Sequence, residues 1–442
     1  MVNKQTSKGD FYFFSIRAID SFRYCAFILL FLFFLPKNSI SQSTQQDERV
    51  KGWQSDIDSL LSLMKQQHYV YRSKPLPEQL LTNAALLKTK VAQFSDERML
   101  LELERLAYYM HDGHSYILPV ARRVNSLYMP LQFYLFSDGL YIIDADEPYK
   151  DLIGCKVLKI HGIDIDKLVD DMNSYIHQDN KFTVKWFAPS VLRFRGLYEP
   201  YGLVAGSPDI TLDLVDRDKK NIARKISFIP ATNFHGIPKL MPSKLNNAKP
   251  VPLYLSNVQE EFWFTHLSGN KIIYFQFNQV QDKKEESLGA FGKRFGDSLQ
   301  IEKPRLLIID VRHNNGGNLD LLNPLINGIK NFEQQNPNSK IVVITGRNTF
   351  SAAQVFISLI NRDTHALFAG EPSSSSPNFV GEGNYISLPY SGAMGSISNK
   401  YHESIPGDKR KWIEPNFPVS LSSQEYFNNE DPVLTFIVNK MK

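Results

Sequence analysis

A chain of 442 residues is too long for one ordinary hydrophobic core, so two or three domains are expected. Hydrophobic residues make up 43% and charged residues 22%, an ordinary globular composition. The 50 basic and 46 acidic residues leave a formal net charge of +4; that balance is too even to argue for a nucleic-acid partner, and no basic run with interleaved aromatics appears.

The N-terminus reads as a leader. Lys4, Lys8, Arg17 and Arg23 precede the apolar run "CAFILLFLFFLP", and a polar stretch "KNSISQSTQQDE" follows. The run is shorter than the roughly 18 to 20 residues needed to span a bilayer. With Ser39 and Ser41 at the spacing of a small-residue cleavage site, residues 1–41 are expected to be a secretory signal peptide, with an uncleaved membrane anchor as the alternative. Export places the protein in a periplasmic or extracellular compartment. Cys25 lies inside this segment, which leaves Cys155 alone, without an internal disulfide partner. Cys155 sits in an alternating strand pattern and reads as a core thiol.

Residues 42–122 are helical by period. "SDIDSLLSLMKQQH" is one expected helix and "LPEQLLTNAALLKTKVAQF" a second. A third, "SDERMLLELERLAYYM", has Ser95 or Asp96 as its cap and Gly113 as the residue past its end. Residues 123–235 change to short alternating strands, "MPLQFYLF", "GLYIID", "CKVLKIHG" and "DITLDLV", interrupted by one helix, "DIDKLVDDMNSYI". Residues 236–259, rich in Pro and Lys, read as a linker. From 260 to 442 strands and helices alternate. "RLLIIDV" and "KIVVITG" are continuous apolar runs typical of strands buried on both faces, and the whole reads as a layered α/β domain with crossover helices.

Two segments of this last part carry chemistry. "IIDVRHNNGGN" follows a buried strand and ends in Gly316 and Gly317, which can free backbone N–H groups to face a ligand. It lacks the Lys-Ser/Thr of a phosphate-binding loop and the glycine spacing of a dinucleotide site; the bland reading is a tight turn. In "NTFSAAQVF", Ser351 stands where a buried strand gives way to a helix. Serine is a favoured helix cap. It is also placed as a nucleophile would be, because the N–H of Ala352 at the positive end of the helix dipole can stabilise an oxyanion built at its hydroxyl. A nucleophile needs a base. His114 in "HDGHS" is the first candidate and His161 and His313 weaker ones. His111 and His114 form an H-x-x-H pair with no third ligand cluster nearby, so no metal site is implied. Glu382 in "NFVGEGN" and Glu403 in "KYHES" are the candidate orienting acids.

Taken in order, "HDGHS", "IIDVRHNNGGN", "NTFSAAQVF", "GEPSSSSPNFVGEGNYISLPYSG", "IEPNFPV" and "DPVL" resemble the S41 serine peptidases, the carboxy-terminal-processing and tricorn-core-like proteases. The resemblance is clearest from 260 to 435 and weaker from 100 to 230. It implies a spiral α/β catalytic domain related to crotonase and Clp protease over 260–442, a PDZ-like β domain over 123–235 and an N-terminal helical cap over 42–122. The nucleophile then falls on Ser351, and the oxyanion donors on Ala352 and on Gly316 or Gly317. The carboxy-terminal-processing branch carries a lysine about 25 residues after the serine; here that place is Ser376, and no lysine occurs between Ser351 and Lys400. The tricorn-like branch takes a histidine from the N-terminal part, which matches His114, with Glu382 favoured over Glu403 as the acid. Gln354 stands where many members carry a glutamate. No cofactor is implied, the partner is a peptide or protein substrate, and membrane contact arises only through the leader. Two rivals remain: a non-catalytic peptide- or ligand-binding protein on the same scaffold, and a crotonase-type acyl-transfer or hydratase enzyme.

Overall fold

The computed structural model describes residues 37–233, 239–245, 249–267 and 271–441. The apolar run of the expected leader lies outside them. Among the described residues no helix is long and apolar enough to cross a membrane.

The continuous apolar runs form the centre of a six-stranded sheet. Ile272–Phe277, Leu306–Asp310 and Lys340–Thr345 are buried at almost every position and run parallel to one another. Phe262–Leu267 adds an antiparallel edge on one side, and Leu367–Gly370 and Phe417–Pro418 extend the sheet in parallel on the other. Alternate side chains point to opposite faces. Ile273, Phe275, Leu307, Ile309 and Val343 pack under the helices Leu288–Glu302, Asn323–Gln335 and Ala352–Asp363. Ile272, Tyr274, Ile308, Val342 and Ile344 pack under the terminal helix Pro432–Lys440. Each such fully buried aliphatic or aromatic side chain contributes about 1.5–3 kcal/mol, so the strand registers are strongly set.

A second, antiparallel sheet runs in the order Leu131–Phe136, Gly139–Ala145, Lys156–Ile160, Asp209–Val215 and Asn221–Ser227. Cys155 is buried in its core. Two elements here were not legible beforehand. The helix Lys181–Val191 contains β-branched and aromatic residues and an internal Pro189, a composition that hides helical period. The strand Asn221–Ser227 is charged and half exposed, as an edge strand can be.

Residues 46–442 make one compact unit. The helices Lys37–Gln67, Glu78–Lys90 and Asp96–Ala107 are where period placed them, the first starting further upstream than read, and Ser95 caps the third by accepting from the Arg98 N–H. The residue that turns the chain past that helix is His111, with φ 56°, after a short 3-10 turn, and not Gly113. A strand then follows inside the stretch read as helical: Tyr116–Ala121 pairs with Ala393–Ile397, which pairs with Asn384–Ser387. The stretch read as a linker is partly core, since Leu240, Tyr254, Leu255 and Val258 are buried.

Candidate active site

Ser351 sits at the N-cap of the helix Ala352–Asp363 but does not cap it: its side chain makes no cap hydrogen bond. Its backbone is in the left-handed half of conformational space, φ 55° and ψ −122°, at a strain of about 1–3 kcal/mol for a residue other than glycine. The hydroxyl is turned instead to His114, whose Nε2 lies 3.0 Å from Ser351 Oγ. The two residues are 237 positions apart in the chain. They meet because Tyr116–Ala121 adds to the strand Ala393–Ile397 and carries the preceding loop to the helix corner.

The His114 ring is clamped between Phe350, at 4.4 Å between centroids, and Phe379, at 5.3 Å, both stacked. Its Nδ1 is buried and has no hydrogen-bond partner. Burial pushes the imidazole down to about 4, opposed by the charge of Asp112, with His177 and His402 adding to the depression and Glu382 opposing it. A buried imidazole facing no direct carboxylate partner stays neutral, which is the state in which it can accept a proton.

The loop that presents His114 is built around Asp112. Its Oδ1 accepts from the N–H groups of His114 at 2.8 Å and Ser115 at 2.7 Å, and its Oδ2 lies 3.0 Å from His68 Nε2. Burial raises its carboxyl, but hydrogen bonds from His68 and Ser398, the charge of His68 and a further bond from Ser115 hold it down at about 2. Asp179 braces the other side, accepting from the Gly113 N–H at 2.8 Å, with its Oδ2 buried and unpartnered. Burial and the nearby Asp112 charge push Asp179 up to about 7, opposed by Ser375, the Gly113 N–H and Lys411. Ser375 Oγ in turn accepts from the Ser351 N–H at 3.4 Å.

The glycine turn packs directly on the serine. A Cβ on Gly316 would stand 2.8 Å from Ser351 Cβ and 2.9 Å from the Ala352 nitrogen, at φ 110°, so only glycine fits. The Gly316 N–H is already donated to Asn314 Oδ1 at 3.0 Å. That removes it as a free oxyanion donor. Among the described residues no hydrogen bond takes the Gly317 N–H, and the Ala352 N–H heads its helix without an intrahelical acceptor.

The two candidate acids do not reach the histidine. Glu382, at φ 49°, pairs with Lys400 Nζ at 2.8 Å and lies 3.4 Å from His402 Nε2. It acts on His114 only through its charge. Glu403 accepts from the Gly407 N–H at 3.1 Å. Of the weaker bases, His313 is buried against Tyr254 and pushed down to about 3 by burial, with the Arg312 and Lys239 charges adding, and His161 sits at a turn. Ser376 donates to the Lys411 carbonyl, and Gln354 bonds Ser358 within its own helix. No group of three or more metal-ligating side chains occurs among the described residues. Sequence reasoning passed over Asp112, Asp179, Phe350 and Phe379. Asp112 had a signal, since an aspartate two before His114 suits a side-chain-to-backbone turn; Asp179 had none. Beside His114 and Phe350 opens a cleft of about 540 Å³.

No protein-family model and no curated protein matches the sequence. Solved structures match by fold. Mature CPAF complexed with lactacystin superposes with a TM-score of 0.59 at 13% identity, covering 89% of this chain and 98% of that one. A second structure of mature CPAF gives 0.57 at 13% identity, covering 89% and 97%. The photosystem II D1 C-terminal processing protease gives 0.37 at 11% identity, covering 84% and 94%. These neighbours are S41-type peptidases, and at such identities the likeness is one of fold.

Proposed function

We propose that the protein is an exported serine peptidase whose nucleophile is Ser351 and whose base is His114. The observation that carries this reading is the 3.0 Å contact between His114 Nε2 and a Ser351 hydroxyl that forgoes its cap bond. Ser351 Oγ attacks the peptide carbonyl carbon as its proton passes to His114 Nε2. The carbonyl oxygen becomes an oxyanion received by the N–H groups of Ala352 and Gly317. The tetrahedral adduct collapses, the peptide C–N bond breaks, and His114 returns the proton to the leaving amine. Water, deprotonated by the same imidazole, then hydrolyses the acyl ester.

Ring stacking from Phe350 and Phe379 orients the base in this reading, and Asp112 and Glu382 favour the imidazolium through their charges. The antiparallel sheet of residues 131–227 is the PDZ-like module, suited to holding an extended substrate by strand addition, and the N-terminal helices are the cap. The rival of a non-catalytic binding protein leaves the Ser351–His114 contact without a role.

The test is labelling with a serine-reactive fluorophosphonate. The unmodified protein should label, and Ser351→Ala should not. His114→Ala should label at least about 100-fold more slowly, since positioned proton transfer contributes 10²–10⁴-fold. Equal labelling of all three rejects the assignment.

A further inference from the structure

The cleft beside His114 contains a second histidine that the proposed chemistry does not use. Its walls are apolar, with Leu101 from the helix Asp96–Ala107, Ile117 from the strand Tyr116–Ala121, and Trp186 and Phe187 from the helix Lys181–Val191. At about 540 Å³ it falls within the roughly 300–1,000 Å³ usual for ligand clefts. Into this apolar surface are set Glu104 and His177.

The pair fixes its own protonation pattern. Glu104 is buried and accepts from the Ile117 N–H at 2.6 Å, the His177 N–H at 3.0 Å and His177 Nδ1 at 2.8 Å. A carboxylate with three such donors is an acceptor, so Nδ1 carries a proton, and in the neutral form of the ring the lone pair is at Nε2. The ring is held against Tyr116, at 5.2 Å between centroids, and Phe187, at 4.8 Å. Its side chain is 10% exposed, and among the described residues Nε2 has no partner. In that form Nε2 is the acceptor that His177 brings to the lining of this largely apolar cleft.

We infer that this cleft takes an aromatic substrate side chain bearing a hydrogen-bond donor, tyrosine above all, with His177 Nε2 accepting from its hydroxyl. A flat ring matches the walls, and a buried phenol needs a partner for its O–H. A carboxylate occupant fits worse. No Arg or Lys lines the cleft, and a second carboxyl beside Glu104 would meet a like group where the dielectric is low. The inference rests on the peptidase reading only in taking the occupant to be a peptide side chain. Glu104 is a positioning residue and His177 a specificity-determining one.

The experiment uses the full chain carrying Ser351→Ala, so that binding is read without cleavage. Blocked peptides with a single Tyr or Phe walked through an Ala/Gly background are titrated by calorimetry. At one register Tyr should bind roughly 3- to 10-fold tighter than Phe, the worth of one net hydrogen bond. His177→Phe should abolish that preference while Phe peptides still bind, and His177→Leu, which also lacks an acceptor, serves should the first variant fail to fold. Equal binding of the Tyr and Phe peptides at every register overturns the inference, as does a preference that survives loss of His177. The peptidase reading is tested apart from this by fluorophosphonate labelling of Ser351 in the unmodified chain; a Tyr preference without labelling would reject catalysis and leave the cleft assignment standing.

Discussion

The proton affinity of His114, the proposed base, is set by burial. Its imidazole is pushed down to about 4, so the neutral, proton-accepting form persists to lower pH than an ordinary histidine near 6.5 would allow. In the unliganded protein the proton-accepting form is lost only as pH falls through that value, which the proposed mechanism turns into a rate effect. The acid limb of kcat/KM should therefore lie near pH 4 to 5, and a limb at 6.5 would show that the ring is better solvated in solution. The same shift carries a stability consequence of fixed sign. The folded state holds fewer protons on His114 than the unfolded chain, so its contribution is present above about 6.5 and declines as pH drops towards 4. The residue scale also separates what was legible from what was not. Ser351 and His114 stand out in "NTFSAAQVF" and "HDGHS" because short motifs encode local corners. The rings of Phe350 and Phe379 that clamp the base, and the occupation of the Gly316 N–H by Asn314, are contacts that no motif spells.

At the scale of elements, one strand pairing brings His114 to Ser351. Tyr116–Ala121 adds to Ala393–Ile397 with Ile117 opposite Gly395, and a Cβ at Gly395 would stand 2.1 Å from the Tyr116 carbonyl oxygen. Gly395→Val should therefore part the two strands. We expect a loss of about 1–3 kcal/mol in urea unfolding and, under native conditions, slower fluorophosphonate labelling of Ser351 as His114 moves away. Unchanged labelling in a folded variant would show that the loop is held without this strand. The pairing was hidden because "SYILPVA" follows a helical stretch and contains Pro119, a residue that argues against an interior strand. The parallel strands of the central sheet were legible for the opposite reason. Burial on both faces demands unbroken apolar runs, and few other structures do.

Across the whole molecule, the two sheets are locked by an ionic cluster near the corner at Ser351. Arg347, 2% exposed in its side chain, pairs with both oxygens of Glu371 at 2.8 and 2.9 Å and donates to the Leu135 carbonyl at 2.6 Å. Lys185 adds a second cation, 2.6 Å from the same carboxylate. Burial raises Glu371, but Arg347 and then Lys185 outweigh it and hold the carboxyl at about 2. Glu371→Ala leaves Arg347 buried without its counter-charge, and by comparison with other broken buried pairs it should cost about 3–5 kcal/mol, measurable by urea unfolding near neutral pH. A loss below about 1 kcal/mol would mean that water replaces the carboxylate. Composition, period and apolar runs determined by themselves the α/β class, the helical start, the strand-rich middle and the two corners at Gly316 and Ser351, because each of these is local in the chain. Tertiary structure alone decided that Ser351 turns its hydroxyl to His114 and leaves its helix uncapped, that neither Glu382 nor Glu403 bonds His114, and that Glu104 holds His177 at the cleft. Those outcomes are competitions for one donor or acceptor among residues far apart in the chain, His114 and Ser351 by 237 positions, and only the folded chain brings the competitors together.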